Sequence, residues 1–155
     1  IKKILKNLRL KNKVLVHRDF HISNIMIFKK KIFLIDSQDA VFGNPVYDLA
    51  SLIDDVRVTV SLKNREKLYK NFILSKEKKY RLFFRNDFEI LSVLRNLKII
   101  GIFTRLSKRD KKHFYLKMIP YAWKMIDERL KQNKNLEELT KFLDKFFPKK
   151  IRLKI

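Results

Sequence analysis

A chain of 155 residues is sized for one domain with a real core, and 46% hydrophobic with 12% aromatic residues excludes a disordered polymer. The absence of cysteine excludes disulfides and thiolate metal sites, and no apolar stretch approaches the ~18 residues of a membrane-spanning helix. The net charge of +22 suits an anionic partner, but the lysines are spread over every predicted helix and loop, and no zinc-ligand pairs, aromatic RNA-binding strand or basic heptad region is present. Specific nucleic-acid binding is therefore not expected, whereas non-specific adhesion to polyanions is. No membrane partner is expected either. The opening residues carry no secretory pattern, so a cytoplasmic location is expected. The first residue is Ile1 and not Met, which suggests a fragment of a longer chain.

In chain order, Ile1, Ile4, Leu5 and Leu8 have helical spacing, and Asn12 marks a break. The apolar run 14–16 reads as a strand leading into His17-Arg18-Asp19. Two further short runs, 25–28 and 32–35, are rich in β-branched and aromatic residues and read as strands. Lys29-Lys30-Lys31 between them predicts a hairpin loop. Residues 37–45 read as irregular, with Gly43-Asn44-Pro45 as a turn. A helix opens at Val46 and runs to Ile53, with Asp48 in its first turn, where the helix dipole favours a carboxylate. Asp48 is either an ordinary cap or a brace that holds the preceding loop by accepting backbone N–H groups.

Helices are predicted over 63–75 and 80–106, the second around Phe84, Phe88, Leu91, Leu94, Leu97 and Ile102. Gly101 inside it costs about 1 kcal/mol against alanine, which close packing would explain. Residues 107–112 read as a charged break. Helices follow over 114–131, where Pro120 must begin or kink a segment, and over 136–147. Pro148 ends the last helix. The organisation is thus one lobe, 1–148, and a basic tail, 149–155. The aromatic side chains Phe83, Phe84, Phe88, Tyr115, Tyr121 and Trp123 are expected in the core.

The chemistry concentrates in 14–50. In an antiparallel hairpin the residue before the first strand lies beside the residue after the second, so Asn24 and Asp36 meet at its open end, with Asp19 in the loop that feeds it. Hard cations such as Mg²⁺ take oxygen ligands, one or two from protein and the rest from phosphate and water. A further carboxylate that does not ligate can accept a proton from a substrate hydroxyl. This is a phosphoryl-transfer arrangement, and His17-Arg18-Asp19 with Asn24 five positions on has the spacing of a kinase catalytic loop. His17 is expected to support that loop by hydrogen bonding. His21 is expected to be partly open, as a substrate contact or a brace.

The residues HRDFHISN at 17–24 and LIDSQDAVFGNPVYDLASL at 34–52 resemble the aminoglycoside phosphotransferase/choline kinase-like family. Gln38-Asp39-Ala40, the helix start at Asp48, and the stretch GIFTRL at 101–106 with Arg109-Asp110 resemble its bacterial amino-sugar kinases, which act on the anomeric hydroxyl of N-acetylmuramate and N-acetylglucosamine. The resemblance covers about 14–147. It implies an α+β fold, a protein-kinase-like C-terminal lobe, mostly helical, with a small hairpin carrying the catalytic and metal loops. It implies ATP and Mg²⁺ as cofactors, Asp19 as catalytic base, Asn24 and Asp36 as metal ligands, and Asp48 as loop support. Arg18, His21, Gln38 and Asp39 are near enough to shape the acceptor pocket. Arg105 and Arg109 either touch an anionic acceptor group or form a surface ion pair with Asp110. The expected substrate is an amino sugar, phosphorylated for cell-wall recycling. Choline, homoserine, a thiosugar or an aminoglycoside is the alternative acceptor, and an inactive polyanion-binding lobe the alternative role.

The family's N-terminal lobe, with its phosphate-covering loop and nucleotide-contacting lysine, has no counterpart among these residues, which include only two glycines. That lobe is expected upstream in the native chain, and the fragment alone is expected to be inactive. Ser37 stands where many relatives carry an aromatic residue. No Phe-Gly follows Asp36 and no Ala-Pro-Glu motif is present, which argues against a regulated eukaryotic-type protein kinase.

Overall fold

Three-residue and four-residue apolar runs become strands in the first third, and the amphipathic remainder becomes helix, in a computed structural model that describes residues 1–152. The elements are α1 (Lys2–Leu5), β1 (Val14–Val16), β2 (Ile25–Phe28), β3 (Lys31–Leu34), β4 (Val41–Gly43), α2 (Tyr47–Ile53), α3 (Leu62–Leu74), α4 (Arg81–Asp110), α5 (Ile119–Gln132), α6 (Glu137–Phe146) and α7 (Lys149–Arg152). The chain is mostly helical with two small antiparallel sheets, consistent with the α+β class. It divides into two compact units. One is Leu8–Phe88; the other joins Ile1–Asn7 to the chain from Glu89 onward.

The first unit holds both sheets. β2 and β3 pair in the register Ile25↔Leu34, Met26↔Phe33, Ile27↔Ile32 and Phe28↔Lys31. The turn between them is only Lys29-Lys30, both at positive φ (47° and 62°), the geometry of the tight hairpin turns that match strand twist. The two-residue turn shifts the expected pairing by one. Asn24 therefore stands opposite Ile35, whose N–H donates to the Asn24 carbonyl at 3.1 Å, and Asp36 is the next residue on. The second sheet was not legible as a strand pair: β4 lies in a stretch that reads as irregular. It pairs with β1 as Val14↔Gly43, Leu15↔Phe42 and Val16↔Val41. Gly43 is needed there, because a Cβ would sit 2.9 Å from Val16 Cγ2.

In this unit Val16, Val46, Ala50, Ile53, Val56, Phe84 and Phe88 are buried. Tyr69 and Phe72 of α3 pack on Phe88 and Phe84, with ring centroids 5.0 and 5.9 Å apart. Ser61 caps α3 by accepting from the Asn64 N–H. Arg65 of α3 reaches a fully buried Asp54 at 2.7 Å, so the end of α2 and the start of α3 are tied by a desolvated ion pair. The β2–β3 hairpin is different. Met26, Ile27, Phe28, Ile32, Phe33, Leu34 and Ile35 are all exposed.

In the second unit Ile90, Val93 and Phe103 of α4 are buried, as are Ile119, Ala122, Met125 and Ile126 of α5, with Leu136 and Leu143. Pro120 stands in the first turn of α5, where it removes no helical hydrogen bond. The charged stretch after Leu106 is not a break: α4 continues to Asp110. Gly101 is exposed, and nothing lies within 4 Å of the place an added methyl group would take, so close packing does not account for it. Of the aromatic residues expected in the core, Phe83 is exposed. Lys149–Arg152, expected as tail, is one helical turn. Arg152 is buried there, bonded to Asp127, Asp144 and the Phe147 carbonyl, with its guanidinium 5.0 Å from the Trp123 ring. The rest of that expected tail, 153–155, lies outside the described residues. Among the described residues no helix is long and apolar enough to cross a membrane.

Candidate active site

β1 ends at Val16, whose side chain is buried, and the next two residues turn sharply. Arg18 has φ 70°, a left-handed conformation that costs a non-glycine residue of order 1 kcal/mol or more. Such strain persists only where neighbours enforce it, and Asp48 does so here. Its carboxylate accepts the His17 N–H at 2.7 Å and the Arg18 N–H at 3.0 Å, one on each oxygen. Charge-assisted bonds of this kind are roughly twice as strong as neutral ones. Asp48 reaches the loop because it sits in the first turn of α2, beside buried Val46.

His17 is buried, and its Nε2 lies 3.0 Å from the Ile35 carbonyl. A carbonyl only accepts, so Nε2 carries the proton. The loop after β1 is thereby tied to the strand exit before Asp36. Asp36 itself has φ 66°, so both ends of this bond are flanked by left-handed residues.

Asp19 follows Arg18 with its side chain about half exposed (49%). Its carbonyl accepts from Asn24 Nδ2 at 3.0 Å and from the His21 N–H at 3.1 Å. Because the Asn24 amide nitrogen is engaged in that bond, its oxygen is the atom left to act as a ligand. Asn24 closes a 3-10 turn, Ile22–Asn24, and is buried. His21 is also buried, not partly open as its loop position suggested. Its Nε2 lies 3.3 Å from Asp19 Oδ1, and its Nδ1 has no partner among the described residues. The loop thus folds around Asp19, with Asn24 bonded to its backbone carbonyl and the His21 ring beside its carboxylate.

Asp36, Gln38 and Asp39 are exposed on the segment that leaves β3. Arg18 reaches back to the Asp39 carbonyl at 3.4 Å, so the two loops touch. Arg105 and Arg109 lie near the end of α4 in the other unit. Arg109 is bound to Asp110 through two bonds of 2.6 and 3.0 Å, and this partner holds the Asp110 carboxyl below its ordinary range. Two features escaped sequence reasoning: the Asp19–His21 contact and a fully buried Asp87, described below. The i to i+2 spacing of an acid and a histidine in a loop was the available signal for the first.

The donor set is chemically suited to a hard cation: an amide oxygen freed by its own N–H bond and an exposed carboxylate, with no sulfur and no imidazole needed. Among the described residues no group of three or more histidine or acidic side chains is arranged as a metal site, so any ion here would take most of its ligands from substrate and water.

Residues 1–73 match the family model described as Phosphotransferase enzyme family (APH). The chain is 31% identical over 144 residues to an N-acetylmuramate/N-acetylglucosamine kinase of Caulobacter vibrioides, an alignment covering 90% of this chain and 39% of that protein. It is 32% identical over 134 residues to the protein of the same name from Pseudomonas putida, covering 82% and 39%. With that of Neisseria meningitidis it shares 35% over 118 residues, covering 70% and 34%. The chain thus spans less than half the length of the curated relatives it matches.

Proposed function

The chain belongs to the phosphotransferase enzyme family, and we propose that it is the catalytic-loop lobe of an ATP-dependent kinase for a hydroxyl of an N-acetylated amino sugar. The observation that carries this reading is the clamp of Asp48 on the His17 and Arg18 amides, next to which Asp19 stands half exposed with its carbonyl bonded to Asn24. The names of the four curated relatives support the acceptor class.

In this mechanism Asp19 accepts the proton of the attacking sugar hydroxyl and orients that oxygen for in-line transfer. His21 keeps one Asp19 oxygen fixed, leaving the other for the substrate. Asn24 and Asp36 would hold Mg²⁺, which when bound supplies neutralising charge to the ATP phosphates. Asp48 and His17 hold the loop in its left-handed turn. Arg18, Gln38 and Asp39 border the acceptor side. A longer polypeptide supplies the other wall of the nucleotide cleft; the length of the relatives and the exposed apolar hairpin both support this. On that reading the 155-residue chain alone binds Mg-ATP weakly and turns over slowly or not at all.

The test is phosphate transfer from Mg-ATP to N-acetylmuramate, N-acetylglucosamine, choline and homoserine by the native-length polypeptide. Transfer to the two amino sugars is expected. Asp19→Asn should cut kcat by about 10²-fold or more with nucleotide affinity nearly unchanged, the range of general-base removal. Asp36→Ala should abolish transfer and weaken Mg-nucleotide binding, read by calorimetry. An Asp19→Asn enzyme with wild-type kcat removes Asp19 from the mechanism.

A further inference from the structure

Asp87 lies in α4, far along the sequence from the catalytic loop, and is fully buried. A buried carboxylate is tolerated only when its lone pairs are satisfied. Here four N–H donors converge on it. Oδ1 accepts from the Arg9 amide at 2.8 Å and from Asn86 Nδ2 at 2.9 Å. Oδ2 accepts from the Leu10 amide at 2.8 Å and from Asn44 Nδ2 at 2.7 Å.

Two of these donors are the backbone of the segment that leads into β1. A third belongs to the turn that leads into α2. Asn44 is itself buried, and it passes the constraint on: its Oδ1 accepts the Val46 N–H at 3.1 Å, and its carbonyl accepts the Tyr47 N–H at 3.1 Å. The next residue is Asp48. Gly43, on the other side of Asn44, is paired with Val14 of β1. The strand that leads into His17-Arg18 and the helix that carries Asp48 are therefore rooted on one carboxylate.

We propose that Asp87 is a positioning residue of the phosphotransfer site, acting through Asn44 to aim the Asp48 carboxylate at the His17 and Arg18 amides. This rests on the proposed kinase reading only for its consequence in catalysis; the relay itself is a statement about geometry. A carboxylate is required at 87 because an amide offers one acceptor oxygen in place of two and turns its own N–H groups against Asn44.

The experiment is amide hydrogen exchange by NMR on the 155-residue chain, residue by residue. Asp87→Asn should speed exchange at His17 and Arg18 by about tenfold or more, the size expected for weakening a charge-assisted bond, while α5 amides such as Met125 and Ile126 keep their protection. Asn44→Ala leaves Asp87 its other three donors and should reproduce the effect at His17 and Arg18. The pair Asp87→Asn with Asn44→Asp restores a donor facing a carboxylate and should recover part of the protection. If Asn44→Ala leaves the His17 and Arg18 rates unchanged, or if α5 loses protection equally, the relay is overturned. Exchange needs no turnover, so a native-length polypeptide that transfers no phosphate from Mg-ATP would sink the kinase reading and leave this result standing. Where turnover is measurable, Asn44→Ala should lower kcat far more than it raises KM for the sugar.

Discussion

A carboxylate does three different jobs within one short stretch of this chain, and its surroundings decide which. Asp48 faces two backbone amides and acts as a clamp. Asp19 faces a buried imidazole on one side and solvent on the other. Asp36 faces solvent from a left-handed turn. Substituting Asp48 by Asn should therefore cost about 2 kcal/mol, since one N–H loses a charged acceptor and meets an amide N–H instead. Urea unfolding of the variant would measure it. A loss under about 0.5 kcal/mol, the scale of an ordinary surface substitution, would mean that Arg18 holds its φ of 70° without the clamp. This bracing was legible as one of two options, because a carboxylate in a helix's first turn after a catalytic-type loop has only a cap or a loop to serve. That His21 is buried against Asp19 was not, since burial in a loop depends on how the following 3-10 turn closes.

Among the elements, the hairpin strands and the helix starts were legible because apolar runs and turn formers bound them. β4 was hidden by its length: Val41-Phe42-Gly43 is three residues between turn formers, and its partner β1 lies far back in the sequence. The end of α4 was misplaced for another reason. Lysine and arginine are good helix formers, so a charged stretch is no break in itself. The turn after Leu106 is carried on, and Ser107 Oγ lies 2.9 Å from His113 Nδ1 just past the end. Gly101 in the same helix touches nothing that a methyl group would disturb. Gly101→Ala should stabilise the chain by up to about 1 kcal/mol, checked as a rise in thermal midpoint. At the α4 terminus, Arg109 lowers the Asp110 pKa. A carboxyl depressed on folding stabilises above its unfolded pKa and loses that contribution as pH falls through the folded value. In Arg109→Ala the Asp110 titration, followed by side-chain NMR, should move up towards the ordinary carboxylate range.

For the molecule as a whole, the +22 charge is spread over both units and finds few acidic partners: 38 basic against 16 acidic residues. Self-repulsion at this density opposes compaction, and it is screened over about 8–10 Å at physiological salt. The thermal midpoint should rise between about 10 and about 150 mM NaCl, where the screening length falls several-fold. A midpoint that is flat or falls with salt would mean that exposed, screenable ion pairs such as Lys141–Glu137 outweigh the repulsion.

The bare β2–β3 hairpin also bears on how copies of this chain meet one another. Among the described residues no further strand pairs with its outer edges, both of its faces are apolar, and two strands alone make a marginal sheet. Edges of this kind template pairing with other chains, and natural sequences blunt them with charge. Lys29, Lys30 and Lys31 stand where such gatekeepers belong, at the tip and the start of β3. Neutralising the lysines of the turn and its shoulder should therefore trade a better turn for a chain that aggregates more readily, read as light scattering at equal concentration.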